Sequence, residues 1–297
     1  MIIYLAIPSI FILLCLGGVF LVKRRWIWCV IFLILFFLGN CITETIPLNL
    51  SLSPKDDARL VVLCYNVHGS APAYKENQIG IANLILGESP DVVFLCEYSL
   101  SKSKILDSLL TSNAYYQRYY KSGTNCVFYS KYPIDSIVGV YTNSKRSLTN
   151  KVNLIKDKDT ITIVGCHLSS SRKDFLQGVK CRAVEVDSIY NFIRQEKQAK
   201  GEISVNPPCV ENHPIIVMGD LNDVSGSYTL SRLKDVGLSV AWWEGGCGYG
   251  TTFHDGWLHL RIDHILFQSS KLRLNTIKVI ESDLSDHNAL VAGFSFR

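Results

Sequence analysis

The stretch IIVMGDLND, residues Ile215 to Asp223, runs four apolar residues into a glycine and then sets an acid, an amide and a second acid around one leucine. A short apolar run bounded by glycine reads as a strand buried on both faces. Gly219 lets the backbone turn closely, so Asp220 and Asn222 emerge at the strand end, where an Asx turn is the plainer use of the same residues. The arrangement repeats on both sides. Leu60–Val67 closes near Asn66, Asp91–Glu97 ends on Glu97, and Thr160–Leu168 carries His167 near its end. Asp263 opens Ile262–Gln268 from its second position, and Asp286-His287 precedes Asn288–Phe296. Any one of these is ordinary, because such residues turn and cap chains. Six of them at strand ends describe one shared cleft.

A further strand reads at Asn125–Ser130, and helices at Asn77–Leu86, Lys102–Leu110, Lys173–Gln198 and Tyr228–Val236. Lys151–Ile155 faces Thr160–Val164 across Lys156–Asp159 as a hairpin, an antiparallel element among α/β units. Residues 60–297 are therefore expected to form a layered α/β domain whose sheets are not all parallel. Glu196–His213 reads as a protruding loop.

Of the 297 residues, 48% are apolar, and that surplus sits at the front. Met1–Val22 and Trp26–Ile42 carry no charged side chain, and Lys23, Arg24 and Arg25 lie between them. About 20 residues at about 1.5 Å each cross a hydrocarbon core, so residues 1–42 read as two transmembrane helices with a short basic cytoplasmic turn. A cleaved signal peptide and a buried hairpin are the alternatives. On the membrane reading, residues 43–59 are a linker and the chain is a multi-pass protein of the cell membrane. Its lipid-bilayer partner is held by residues 1–42, and its folded part is extracytoplasmic, facing the periplasm of a bacterial inner membrane. The net charge of +4 excludes a polybasic nucleic-acid binder, and the hydrophobicity excludes intrinsic disorder. Ten cysteines without a CxxC pair indicate neither a zinc knuckle nor a disulfide scaffold.

The strand-end groups have a common chemistry. Glu97, following VVFLC, is costly to bury unless a cation offsets its charge, and carboxylate oxygens suit Mg²⁺ or Mn²⁺. Asp220 can take a proton from water, Asn222 and His167 can donate to phosphoryl oxygens, and an acid beside His287 can fix its tautomer. Arg172 offers a further phosphate contact or a solvent-facing helix residue. The Ser169–Ser171 run lacks a GxSxG context, which removes a serine-hydrolase reading.

Taken together, LCYNVHG, VVFLCEY, GCHLSS, GDLND, RIDHIL and SDHNAL resemble, in order, the motifs of the endonuclease/exonuclease/phosphatase superfamily, the DNase I-like phosphoesterases. With the apolar front, the chain resembles a membrane-anchored bacterial type. The resemblance implies a four-layered sandwich of two mixed β-sheets flanked by helices, preceded here by the transmembrane hairpin. It implies Glu97 as the main metal ligand with Asn66 and Asp286 in or near the shell. Asp220 would activate the water, Asn222 and His167 would steady the phosphate, and Asp263 would buttress His287. Thr251 would have a minor role. The implied function is Mg²⁺-dependent hydrolysis of a phosphodiester or phosphomonoester in a nucleic acid, phospholipid head group or sugar phosphate, with no obligate protein partner. An inactive binding protein that keeps the fold is the alternative. Trp242, Trp243, Tyr249, Phe253 and Trp257, in a glycine-rich stretch, read equally as a cleft wall or as a buried loop.

Overall fold

The computed structural model describes the chain except for residues 1, 48, 50–58, 69–74, 113–116, 121–124, 141–147, 171–173 and 200–212. Most of the linker, Arg172 and most of the expected loop at 196–213 therefore lie outside the described residues. In chain order the elements are α1 (Ile2–Val22), α2 (Trp26–Thr43), β1 (Leu60–Asn66), α3 (Lys75–Glu88), β2 (Val92–Cys96), α4 (Lys104–Ser112), β3 (Gln117–Tyr120), β4 (Val127–Ser130), β5 (Ile134–Val140), β6 (Leu148–Lys156) and β7 (Asp159–His167). They continue with α5 (Phe175–Ala199), β8 (Ile215–Asp220), α6 (Tyr228–Asp235), β9 (Ser239–Val240), α7 (Ala241–Gly245), β10 (Phe253–Asp255), β11 (Leu258–Leu260), β12 (Asp263–Phe267), β13 (Leu272–Ile280) and β14 (Ala289–Phe296).

Two six-stranded sheets carry the fold, ordered β13-β14-β1-β2-β4-β3 and β5-β6-β7-β8-β12-β9. Each is mixed: β1 and β2 run parallel in one and β7 and β8 in the other, and the remaining pairs are antiparallel. Period-two alternation explains why the central strands are apolar throughout. Leu60, Val62 and Cys64 of β1, with Phe94 of β2, join the core shared with the second sheet. Leu63, Tyr65, Val93 and Leu95 pack instead with Ile81 and Ile85 of α3 and Leu106 of α4. Helices α5 and α6 cover the second sheet through Val186, Ile189, Leu230 and Leu233. At Gly165 of β7 a Cβ would lie 2.4 Å from the Phe94 ring of the other sheet, so even alanine would force the layers apart there.

The membrane expectation is corrected. Among the described residues no helix is long and apolar enough to cross a membrane. Helix α2 has 18 residues, and its end is tied to the protein. Asn40 is buried and exchanges hydrogen bonds of 2.7 Å with the backbone of Ile46, while the Thr43 hydroxyl bonds to Gly39 O and the Thr45 hydroxyl. The stretch before Asn40 spans roughly 21 Å, against about 30 Å of hydrocarbon. In α1 the described side chains begin at Phe11, whose ring meets Tyr249 edge-on at 5.6 Å. The front is a helical hairpin packed on itself through Phe20 and Phe32 and docked on the sandwich. The transmembrane hairpin, the bilayer partner, the multi-pass periplasmic location and the membrane-anchored bacterial type are all withdrawn on this finding.

Candidate active site

Register brings the polar residues of the second sheet together. In the parallel pair β7–β8 His167 lies opposite Asp220, and in the antiparallel pair β8–β12 Asp220 lies opposite Asp263. Facing residues on neighbouring strands share a side of the sheet, so all three point into the mouth between the sheets, as Gly165 does two residues before His167. The first sheet supplies Asn66, continuing the inward series of Leu60, Val62 and Cys64, and Glu97, one residue beyond β2. Glu97 and Asn222 both take left-handed backbone (φ +50° and +49°), a costly conformation for residues other than glycine. That bend leaves the Glu97 side chain 35% exposed in the mouth while Cys96 before it is buried.

Asp220 is the hub. Its Oδ2 accepts from Asn66 Nδ2 at 2.9 Å and from Asn222 Nδ2 at 3.2 Å, and its Oδ1 accepts from the Asn222 amide at 2.8 Å. His167 Nε2 stands 3.8 Å and His287 Nε2 3.9 Å from Oδ2. Asn66 Nδ2 also donates to Glu97 Oε1 at 3.1 Å, which links the two carboxylates, and His167 Nε2 lies 3.7 Å from the same Glu97 oxygen. Asn222 Nδ2 bonds to Leu168 O as well, fixing the loop that follows His167.

Behind this row, His287 Nδ1 and Asp263 Oδ2 are 2.7 Å apart, both groups buried. Burial lowers the affinity of His287 for its proton, but the charge and hydrogen bond of Asp263, with Asp220 and Asp286 nearby, outweigh it and raise the pKa to about 9. Burial, followed by the repulsion of Asp220, pushes the Asp263 carboxyl up, against His287 and the Thr252 hydroxyl. That hydroxyl accepts from the amides of Ile262 and Asp263, each at 3.0 Å, so the supporting threonine is Thr252 and not Thr251, which offers its carbonyl to Asn288. Asp286 turns away from the row: its Oδ1 lies 3.0 Å from His68 Nδ1, and it belongs to neither of the groups able to hold a metal.

Among the described residues those groups are two, Glu97 with His167 and Asp220, and Asp220 with Asp263 and His287. Ligand atoms in each lie within 4.8 Å of one another. No described Lys or Arg pairs with Glu97 or Asp220, and among the described residues the basic groups beside these two carboxylates are the imidazoles of His167 and His287. Adjacent hard oxygen donors suit a divalent cation. The first group borders the cleft; in the second, His287 Nδ1 is already engaged by Asp263.

The aromatic stretch divides. Trp242 is 7% exposed in α7 and Trp243 packs on the core, whereas Tyr249, Phe253 and Trp257 line a cleft of about 870 Å³ that contains Glu97, Asp220, Asn222 and His287. Sequence reading also passed over Arg182 and Glu185 of α5, both buried. Glu185 accepts from the amide and hydroxyl of Ser169, and Arg182 Nη1 donates to Ser169 O, so both hold the loop beyond His167. Two charges in the middle of a helical segment carried no signal of burial.

Residues 63–287 match the Endonuclease/Exonuclease/phosphatase family. The fold is similar to that of the human Nocturnin catalytic domain with bound sulfate anion (TM-score 0.61, 17% identity, 80% of this chain and 94% of that one). It is also similar to truncated Caenorhabditis elegans TDP2 (0.61, 20%, 80% and 97%) and to Staphylococcus aureus beta toxin (0.59, 18%, 78% and 99%). No curated protein matches in sequence. Family membership and the two metal-capable groups together support metal-dependent phosphoester hydrolysis as the general chemistry.

Proposed function

The chain belongs to the endonuclease/exonuclease/phosphatase family, and from that premise we propose that residues 60–297 hydrolyse a phosphoester by direct attack of one water, with Mg²⁺ as the resident cation and Mn²⁺ as its substitute. The observation that carries this is the convergence of four side chains, Asn66, His167, Asn222 and His287, on Asp220, with Glu97 joined to them through Asn66. Glu97 is the principal ligand, with Asn66 near the shell, while Asp286 is held by His68. The cation, when bound, neutralises charge gathering on the phosphoryl oxygens. Asp220 accepts the proton of the attacking water as the new P–O bond forms and the ester P–O bond breaks, and the departing oxygen takes a proton from solvent. His167 Nε2 donates to a non-bridging oxygen, and Asn222, which donates to Leu168 O and Asp220, turns one Nδ2 hydrogen from Asp220 to a second when substrate enters. The His287–Asp263 pair presents Nε2 as a fixed donor, since Asp263 occupies Nδ1.

The test pairs chemistry with binding. Purified protein should hydrolyse bis-p-nitrophenyl phosphate with Mg²⁺ or Mn²⁺ and stop on chelation. Glu97→Gln should weaken the cation titration followed by calorimetry as well as the rate, because a charged ligand becomes a neutral amide of the same shape. Turnover that persists in excess chelator, or a Glu97→Gln titration identical to wild type, would remove the assignment.

A further inference from the structure

The cleft is longer than a phosphoryl group requires, and its excess is apolar. Away from Asp220 it is walled by Phe11, Phe175, Tyr249, Phe253 and Trp257. Val224, Phe253 and Ile262 form a small buried cluster beneath, with Tyr249, Leu258 and Leu260 packed on it. One wall is remote in sequence: Phe11 belongs to α1, yet it meets Tyr249 edge-on and is 38% exposed to the cleft side. The contact is built in. The Arg261 guanidinium, 2% exposed, donates to Tyr249 O and, through Nη2, to Glu44 O and Thr45 O just after α2 and to the Ser225 hydroxyl. Gly248 N bonds to Pro47 O at 3.0 Å, and Asn49 Nδ2 bonds to Trp243 O and Gly246 O. One buried cation thus fixes both the chain leaving the helical hairpin and the loop that carries Tyr249.

Charge restricts the occupant. Among the described residues lining the cleft, Arg182 is the one Lys or Arg, and its guanidinium is committed to Ser169 O and stands 3.4 Å from Asp223. Glu97, Asp220 and Asp255 line the same space. A strand with several phosphates needs Lys and Arg along its path and would meet carboxylates here. A single phosphoester carrying an apolar chain places one charge at the metal-capable end and buries the rest against aromatic rings.

We propose that this cleft is a subsite for an apolar chain on a phosphodiester substrate, and that Phe11 forms its far wall, making the N-terminal helical hairpin part of the substrate site. The proposal rests on the hydrolysis proposed above, and its test separates the two. Full-length protein with Mg²⁺ is offered p-nitrophenyl diesters of methyl, butyl and octyl phosphate below micelle-forming concentrations. The leaving group is constant, so cleavage of the methyl ester reports the chemistry and the dependence on chain length reports the subsite. The expected result is kcat/KM rising about threefold per methylene over the first several carbons. Phe11→Ala and the exposed-tip variant Trp257→Ala should each cut the octyl-to-methyl ratio about tenfold, Phe11→Leu should restore most of it, and Ile27→Ala, on the outer side of α2, should leave the ratio at the wild-type value. Equal rates for methyl and octyl esters, an unchanged ratio in folded Phe11→Ala and Trp257→Ala, or preference for thymidine 5′-p-nitrophenyl phosphate over the octyl ester would overturn it. If no ester is cleaved, the proposed chemistry fails and binding decides the subsite. Saturable quenching of tryptophan emission by octyl phosphate but not methyl phosphate supports the subsite, and equal or absent quenching refutes it.

Discussion

Asp263 and His264 are neighbours on β12 and serve two regions of opposite electrical character. On the cleft side, Asp263 holds His287 and the ring's pKa rises to about 9. On the other side, His264 Nε2 meets the carbonyl of Asp223 at 2.9 Å, and burial together with the charge of Arg261 lowers its pKa to about 3. Both rings are buried. Burial alone therefore does not decide protonation; a carboxylate as partner in one region and a carbonyl in the other does. The cleft side holds an ion pair at neutral pH. The rear is a neutral brace around which Arg182, Asp223 and Thr229 close, Thr229 donating to Asp223 at 2.6 Å.

The comparison breaks most severely at Asp220. Asp220→Asn keeps size and much of the hydrogen bonding but removes the basic oxygen, so single-turnover hydrolysis at saturating Mg²⁺ should slow about 10²–10⁴-fold with cation occupancy retained. Near-wild-type chemistry in folded, loaded protein would move the search for the base to His287. At the rear the loss should be one of stability. Asp223→Ala strands the buried Arg182 and should cost about 3–5 kcal/mol in urea unfolding; a cost below about 1 kcal/mol would mean that Arg182 is satisfied elsewhere.

Asp263→Asn makes the front resemble the rear. Turnover should fall about 10–100-fold while the cation titration stays close to wild type. In metal-free protein the His287 ring, expected to titrate near pH 9 in wild type when followed by NMR, should shift below its ordinary value once burial acts without the carboxylate. A His287 titration still near pH 9 would show that Asp220 and Asp286 suffice.

The smallest effect is the acid limb of stability. His264 is neutral when folded and binds a proton near its ordinary value when unfolded, so its contribution is present above about pH 6.5 and falls below it, by about 1.4 kcal/mol per pH unit, down to about 3. His287 has the reverse sign: its contribution is full below about pH 6.5 and is lost as pH rises through about 9. Melting temperatures of His264→Gln should thus decline less steeply than wild type between pH 6.5 and 4, and parallel curves would assign the acid limb to carboxylates alone.

The central strands were legible because burial on both faces writes a continuous apolar run, as in VVFLC, with the polar site residue at its end. Edge strands were not. KLRLNTIKVI, which holds β13, mixes charges into a half-buried strand, and β5 pairs on one side only. The β10–β11 hairpin was announced by Asp255-Gly256 within an alternating FHDGWLHL, a turn signal that the aromatic content obscured. Asn66, Glu97, His167, Asp220, Asn222, Asp263 and His287 were read individually, and register is what sets them together; Asp286 sits on His68 instead. Thr252 and Arg261 escaped because a hydroxyl accepting two amides and a guanidinium satisfied by carbonyls depend on loops whose path no local pattern encodes. The apolar front misled for a related reason: hydrophobicity marks a segment as avoiding water, and Asn40, Thr43 and Phe11 show it ending against protein.

In the first sheet, β1 lies between β2 and β14, pairing Leu60 with Phe294 and Cys64 with Leu290. A ribosome delivers β1 long before β14, and at about 5–20 residues per second the delay is on the order of ten seconds or more. Throughout that interval LVVLCYN carries an open edge, a feature that holdase chaperones bind and that aggregation exploits. The catalytic rim inherits the delay, since Asn66 takes its place at the mouth only as the last strand closes. Removing a few residues from Ala289–Phe296 would therefore part β13 from β1 inside the sheet and not merely fray its margin.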